Sequence, residues 1–296
     1  MPETDNRETR CGATRFATII SIMGNNDECN KGGASGGDCT VLVCSCDRYS
    51  DLHGPFVALF RKFWPDCPFE VVLVTETIAG AGFDRNILAG PGGNWASRLS
   101  FALGDISTPY ILMLCDDYLL CGNVDTGLIL RRLAQAKELG AANLRMIPNP
   151  KPTPANSSPA THGLLEYRKG SAYCIATQAG FWERGFLSAI TAGKGSIWEF
   201  ERRGSFEVCG EKRPLLVTPT QEFPFVDAVH KGYWEKAGLE VCRANGVEAD
   251  LSRRNRPPIL IRAIEALKSI VFAVAPLTPL VRLQNKFGLG AKEKRK

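Results

Sequence analysis

At 296 residues, with 44% apolar and 23% charged side chains, the chain has an ordinary globular composition and the length for one large domain or two small ones. That excludes disorder throughout. The net charge of +5 is modest and much of it sits in Arg253, Arg254, Arg256 and the terminal AKEKRK, so it gives no argument for a nucleic-acid partner.

The polar opening MPETDNRETR carries no net positive charge, and the apolar FATIISIM behind it leads to no small-residue cleavage site, so a secretory signal is not expected. Residues 24–38 are rich in Gly, Asn and Asp without periodicity, which makes 1–39 a flexible N-terminal segment. Eleven cysteines at irregular spacings, with no CxxC pair, read as reduced, buried thiols, with Cys115, Cys174 and Cys242 in apolar surroundings. A cytoplasmic location follows.

From Thr40 onward, apolar runs alternate with amphipathic ones. TVLVCSC (40–46) predicts a strand, FVALFRKFW (56–64) a helix and FEVVLVT (69–75) a strand. NWASRLSFALGDI (94–106) predicts a helix, YILMLC (110–115) a strand, and 126–140 a helix capped by Asp125; AANLRMI (141–147) is the next strand. Continuously apolar strands separated by helices argue for a three-layer α/β/α sandwich with a mostly parallel sheet. In such sheets the site lies at the carboxyl ends of the strands. Three segments qualify: CDRYSD, TET and CDDY.

Residues 148–163 hold five prolines among Ser, Thr and Asn and predict a mobile loop over the site. Beyond it, 171–180 reads as a strand, 181–190 as a helix, PLLVT and FPFVDAV as strands, and 233–246 as a helix. A body spanning 40–250 results. In 251–296, Leu260, Ile264, Leu267, Val271 and Val274 form a helical stripe ahead of a basic tail. Its charges and prolines make it a poor transmembrane span. It suits a helix packed on the body or one resting on anionic lipid.

The adjacent acids Asp116 and Asp117 end an apolar run, where a carboxylate pair can be a cap, an acid/base pair or a metal site. Asp47 at another strand end, and a Trp-Arg helix just upstream, favour a site. The order VLVCSCDRYSDL, VVLVTET, NWASRLSFALGDISTPYILMLCDDYLL, SIWEFERRG and HKGYWEKAG resembles the bacterial GT-A type glycosyltransferases that build surface polysaccharide. The resemblance covers about 40–245, and it departs from the usual Asp-x-Asp motif by placing Tyr118 after the acid pair.

That resemblance implies a nucleotide-diphospho-sugar transferase fold, a nucleotide-sugar donor (a UDP-sugar favoured), a glycan or lipid-linked glycan acceptor, and a divalent cation, Mn or Mg. Asp117 and His230 would be the metal ligands, and Asp116 would bind the sugar or ribose. Asp47, Glu76, Trp95 and Arg98 would lie near the nucleotide, with Lys231 or Arg202 as a diphosphate clamp. A carboxylate base comes from Glu199 or Glu201, which stand about 200° apart on a helix, so only one faces the cleft. Glu199, beside Trp198, is the expected one. The alternatives are a sugar-phosphate nucleotidyltransferase, which would want a Gly-rich basic loop after the first strand, and a sheet domain that binds sugars or a partner without turnover.

Overall fold

The computed structural model describes residues 36–255. In chain order the elements are β1 (Cys39–Cys44), α1 (His53–Phe63), β2 (Glu70–Thr75), β3 (Arg85–Leu88), α2 (Trp95–Asp105), β4 (Tyr110–Cys115), β5 (Tyr118–Leu120), α3 (Thr126–Glu138) and β6 (Asn143–Arg145). There follow β7 (Ser157–Pro159), β8 (Leu165–Tyr167), β9 (Gly180–Glu183), α4 (Arg184–Thr191), α5 (Ile197–Glu207), β10 (Leu215–Val217), β11 (Phe225–Asp227), β12 (Val229–His230), β13 (Tyr233–Trp234) and α6 (Lys236–Ala244).

Nine strands form one mixed sheet in the order β3-β2-β1-β4-β9-β6-β10-β8-β7. β3, β2, β1 and β4 run parallel to one another, β9 lies antiparallel between β4 and β6, and β10 returns parallel to β6. Because side chains alternate across a strand, each strand feeds two cores. Val41, Val43, Leu112, Leu114 and Phe181 pack with Phe56 and Phe60 of α1, Leu133 of α3 and Leu239 of α6. Leu42, Ile111, Met113 and Trp182 pack with Leu99 of α2, Phe186 of α4 and Phe200 of α5. The expected three-layer α/β/α sandwich is therefore present.

Most of the expected elements fall where the sequence placed them, and Asp125 does cap α3, its side chain accepting from Leu128 N at 2.9 Å. Four segments need correction, the first being 233–246, where Tyr233–Trp234 form β13 and the helix runs only from Lys236 to Ala244. Residues 171–179 form no strand; the segment is irregular and is held by buried side chains instead, Ile175 N donating to Ser205 Oγ at 3.0 Å and Thr177 N to Glu201 Oε1 at 2.8 Å. The expected helix 181–190 begins as the central strand β9, because Glu183 caps α4 through Gly185 N and Phe186 N and so starts the helix only at Arg184. Residues 148–163, expected as a loop throughout, contain β7, paired with β8.

Gly180 is required where β9 enters the sheet. A Cβ there would lie 2.7 Å from Leu144 O and 2.9 Å from Arg145 Cα, both backbone atoms that cannot swing away. Gly180→Val is expected to lower unfolding stability by about 3 kcal/mol; urea denaturation checks this, and an unchanged midpoint would refute it.

No helix among the described residues is long and apolar enough to cross a membrane. The stripe from Leu260 to Val274, the basic tail and residues 1–35 lie outside the described residues. The folded body runs past 250. Arg254, buried, donates to both oxygens of Asp51 at 2.7 and 3.0 Å and to Arg48 O at 2.9 Å.

Candidate active site

Parallel pairing brings the carboxyl ends of β2, β1 and β4 to one edge of the sheet, as expected. There the chain leaves β4 through Asp116 and Asp117 and turns into the short strand β5. β11 pairs antiparallel with β5, setting Asp227 opposite Tyr118, and Ala228 N donates to Asp117 O at 2.8 Å. A third carboxylate thus joins the pair. β12 and β13 then form a hairpin whose two-residue turn, Lys231 at φ 53° and Gly232 at φ 82°, is left-handed at both positions, as a tight twisted hairpin needs.

These pieces enclose a cleft of about 710 Å³. One wall carries Ser45, Arg48, Tyr49, Asp116 and Asp117; the hairpin turn contributes His230 and Lys231. Two capped helices also line the cleft. Asn94 accepts from Ser97 N at the start of α2, presenting Trp95 and Arg98; Ser196 accepts from Glu199 N at the start of α5, presenting Trp198 and Glu201. Trp198 is 46% exposed, a large aromatic left open on the rim. A more open hollow of about 840 Å³ adjoins the cleft, sharing Asn149, Gln178 and Asp227 with it.

The electrostatics are unusual for a surface turn. Asp116 is 5% exposed, and burial pushes its carboxyl up to about 7 against the pull of a hydrogen bond from Ser45. Asp117 is pushed well above the usual carboxylate range by burial, then by the charges of Asp116 and Asp227. Like charges held together at a cost to the fold are a mark of a functional site.

The folded state therefore keeps the Asp116 proton longer than the unfolded chain does. The stability that this proton gives is complete below about pH 4 and is lost as pH rises through about 7. Asp116→Asn removes the loss. In metal-free buffer at pH 8 it is expected to be more stable than the natural chain by roughly 2 to 4 kcal/mol, the gap closing toward pH 4. Thermal unfolding across that range checks the sign; a variant less stable at pH 8 would contradict it.

Of the residues expected near a nucleotide, Trp95, Arg98 and Asp116 do line the cleft. Asp47 is a correction: its carboxylate accepts from Thr77 N and Ile78 N, both at 2.9 Å, and from the Thr77 hydroxyl, so it braces the neighbouring turn. Slight burial opposes the effect, yet those bonds hold its carboxyl below the usual range. Glu76 is likewise a brace, taking Asp47 N and the guanidinium of Arg98, which also donates from Nε to Ser45 O at 3.1 Å.

The two candidate bases exchange places. Glu199 accepts from Gly195 N at 2.9 Å and pairs with Arg203, and although slight burial works the other way, these partners hold its carboxyl low. Glu201, 8% exposed, is the one on the cleft wall, its Oε1 accepting from Thr177 N and Oγ1 at 2.8 Å while burial pushes its carboxyl up. The reason is packing. The face of α5 bearing Phe200, Glu201 and Gly204 is buried, so Glu199 turns out toward Arg203. Arg202 donates to Trp198 O and does not line the cleft, whereas Lys231 and the exposed Arg48 do.

Asp227 and Arg48 escaped the sequence reading. Asp227 sits in a strand-like run whose register with β5 the sequence does not show, and Arg48 is one basic residue in a turn. The expected burial of the thiols holds for Cys39, Cys44, Cys115, Cys174 and Cys242, and it pushes Cys44 up to about 12, whereas Cys121 and Cys209 are exposed.

No three His, Cys, Asp or Glu side chains among the described residues converge closely enough to cage a metal ion. The donor set still fits a hard divalent cation. Such an ion needs only one or two carboxylates when substrate phosphates and waters complete its shell, and the crowded Asp117 and Asp227 would be relieved by one.

The sheet thus has four parallel strands in the order 3-2-1-4 with an antiparallel strand beside them. Solved structures to which the chain is similar over part of its length include S. aureus TarS 1-349, 13% identical over 61% of this chain and 60% of that one, TM-score 0.37. The same S. aureus TarS fragment in complex with UDP-GlcNAc is 14% identical over 72% and 68%, TM-score 0.36. The 2-C-methyl-D-erythritol 4-phosphate cytidylyltransferase from Thermus thermophilus is 13% identical over 70% and 98%, TM-score 0.39. No protein-family model and no curated protein matches the chain.

Proposed function

We propose that the chain is a glycosyltransferase that moves a sugar from a nucleoside-diphosphate donor, a UDP-sugar first among those to test, to a hydroxyl of a glycan or lipid-linked glycan. The observation that carries this reading is one cleft lined both by the acids Asp116 and Asp117 and by the buried carboxyl of Glu201.

In this reading Trp95 and Arg98 flank the nucleotide, Arg48 and Lys231 meet the diphosphate, and Asp116 binds a hydroxyl of the ribose or the sugar. Asp117, with the substrate phosphates and waters completing the shell, would hold a divalent cation, which supplies positive charge for the departing diphosphate. The acceptor enters over Trp198 and the adjoining hollow. Its hydroxyl oxygen attacks the anomeric carbon and the bond from that carbon to the diphosphate oxygen breaks. The hydroxyl proton passes to Glu201, and the nucleoside diphosphate leaves. A carboxyl lifted by burial is closer in pKa to its working pH and so a better base than a free one.

The nucleotidyl-transfer alternative is less favoured by the turn after β1. There a 3-10 helix, Asp47–Leu52, brings two acids, Asp47 and Asp51, where a glycine-rich basic loop would be needed. Product analysis separates the two. UDP released from UDP-sugars with Mn is the expected result; pyrophosphate released from CTP and a sugar phosphate, with no UDP from any UDP-sugar, would overturn it.

A further inference from the structure

Ser45 follows β1 directly, and its backbone is pinned from two sides. Its N donates to Val74 O at 3.0 Å, and its carbonyl accepts from Arg98 Nε. The side chain is pinned too. Its hydroxyl donates to Asp116 Oδ2 and lies 2.9 Å from His53 Nε2. A hydroxyl has one proton, and where the Asp116 carboxyl is ionised that proton goes to it, so the bond to the imidazole is one the serine oxygen accepts. His53 must therefore carry its hydrogen on Nε2.

His53 opens α1, is 4% exposed, and stands edge-on to Phe83 with ring centroids 6.1 Å apart. Burial lowers its pKa, which favours the neutral ring, a form that holds one N–H donor. The serine is no nucleophile in this arrangement, since its proton is already given to Asp116 and His53 donates to it. None of the roles assigned above uses either residue.

We propose that His53 and Ser45 form a positioning relay, His53 Nε2–H to Ser45 Oγ and Ser45 Oγ–H to Asp116 Oδ2, which fixes the Asp116 carboxylate and leaves Oδ1 for a donor hydroxyl. The part about the donor rests on the glycosyltransferase reading; the relay itself does not. Ser45 lines the cleft beside Asp116 and the buried His53 does not, so the relay reaches Asp116 from a residue set back from the cleft.

Two measurements on the full chain test it. In thermal unfolding, Ser45→Ala is expected to lower the Tm of the natural chain but to have little effect in an Asp116→Ala background, and His53→Phe, which keeps ring volume, to follow the same pattern with Ser45→Ala. Additive effects would overturn the relay. In titrations with a UDP-sugar, Ser45→Ala is expected to weaken binding about tenfold, one hydrogen bond to a charged group. Ser45→Thr, which keeps the hydroxyl, should restore affinity, which a loss of packing alone would not produce. Unchanged affinity in Ser45→Ala beside a natural chain that binds would overturn the positioning role. A natural chain that binds no nucleotide sugar would instead overturn the transferase reading, and the unfolding cycle would still decide the relay.

Discussion

Asp117→Asn is expected to lower sugar transfer by at least about a thousandfold, because it removes the carboxylate that would hold the cation beside the diphosphate where charge develops. The fold is expected to survive. Asp117 is pushed well up by burial, Asp116 and Asp227, so the neutral amide relieves repulsion instead of creating it. Nucleoside-diphosphate release measured beside thermal unfolding separates the two effects. A variant as active as the natural chain would remove the acid pair from the chemistry, and a variant that unfolds would make Asp117 a structural residue.

The second large effect concerns stability. Arg145 is fully buried in β6, and its hydrogen bonds go to carbonyls; it donates to the backbone oxygens of Asn149 at 2.7 Å, Tyr173 at 3.2 Å and Cys174 at 2.9 Å, and lies 4.9 Å from the centre of the Tyr167 ring. Those carbonyls belong to the two irregular segments that bring Asn149, Pro150 and Tyr173 to the cleft. Arg145→Met fills much of the volume but leaves buried acceptors without donors, at about 1 to 3 kcal/mol each. The expected loss is about 4 kcal/mol in all, read from the midpoint of urea unfolding. A loss under about 1 kcal/mol would mean that these segments hold themselves without it.

The contrast between the two residues shows what the sequence could and could not reveal. Asp117 was visible because an acid pair at the end of a fully apolar run breaks the local pattern. Arg145 was not, since one arginine in AANLRMI looks like any surface residue of an edge strand until β9 is known to cover it. β9 itself was hidden in a segment whose composition suits a helix, and Phe181 and Trp182, facing opposite cores, give an alternation only two residues long. β1, β2 and β4 were legible because each is a separate apolar run, whereas the short, half-exposed edge strand β3 was not. In the second half of the sheet short strands depend on pairing with distant partners, which composition does not encode.

The same holds within the site. Asp116, Asp117, Trp95, Arg98 and His230 reach the cleft from positions the sequence marked. The choice between Glu199 and Glu201 could not be made without the packing of α5, since helical spacing separates the two faces but does not say which is buried. Asp227 needed the β5 and β11 register. Asp47, prominent at the end of a strand, proved to be a brace because the backbone N–H groups of Thr77 and Ile78 lie within reach of it.

The central claim is that this cleft binds a nucleotide sugar through a cation held beside Asp117. Calorimetric titration of a UDP-sugar into the natural chain and into Asp117→Asn, each with and without Mn, tests it most directly. The account predicts binding to the natural chain that is strengthened by Mn, and no Mn-dependent gain in Asp117→Asn. Equal affinity in all four titrations, or no binding in any of them, would contradict it.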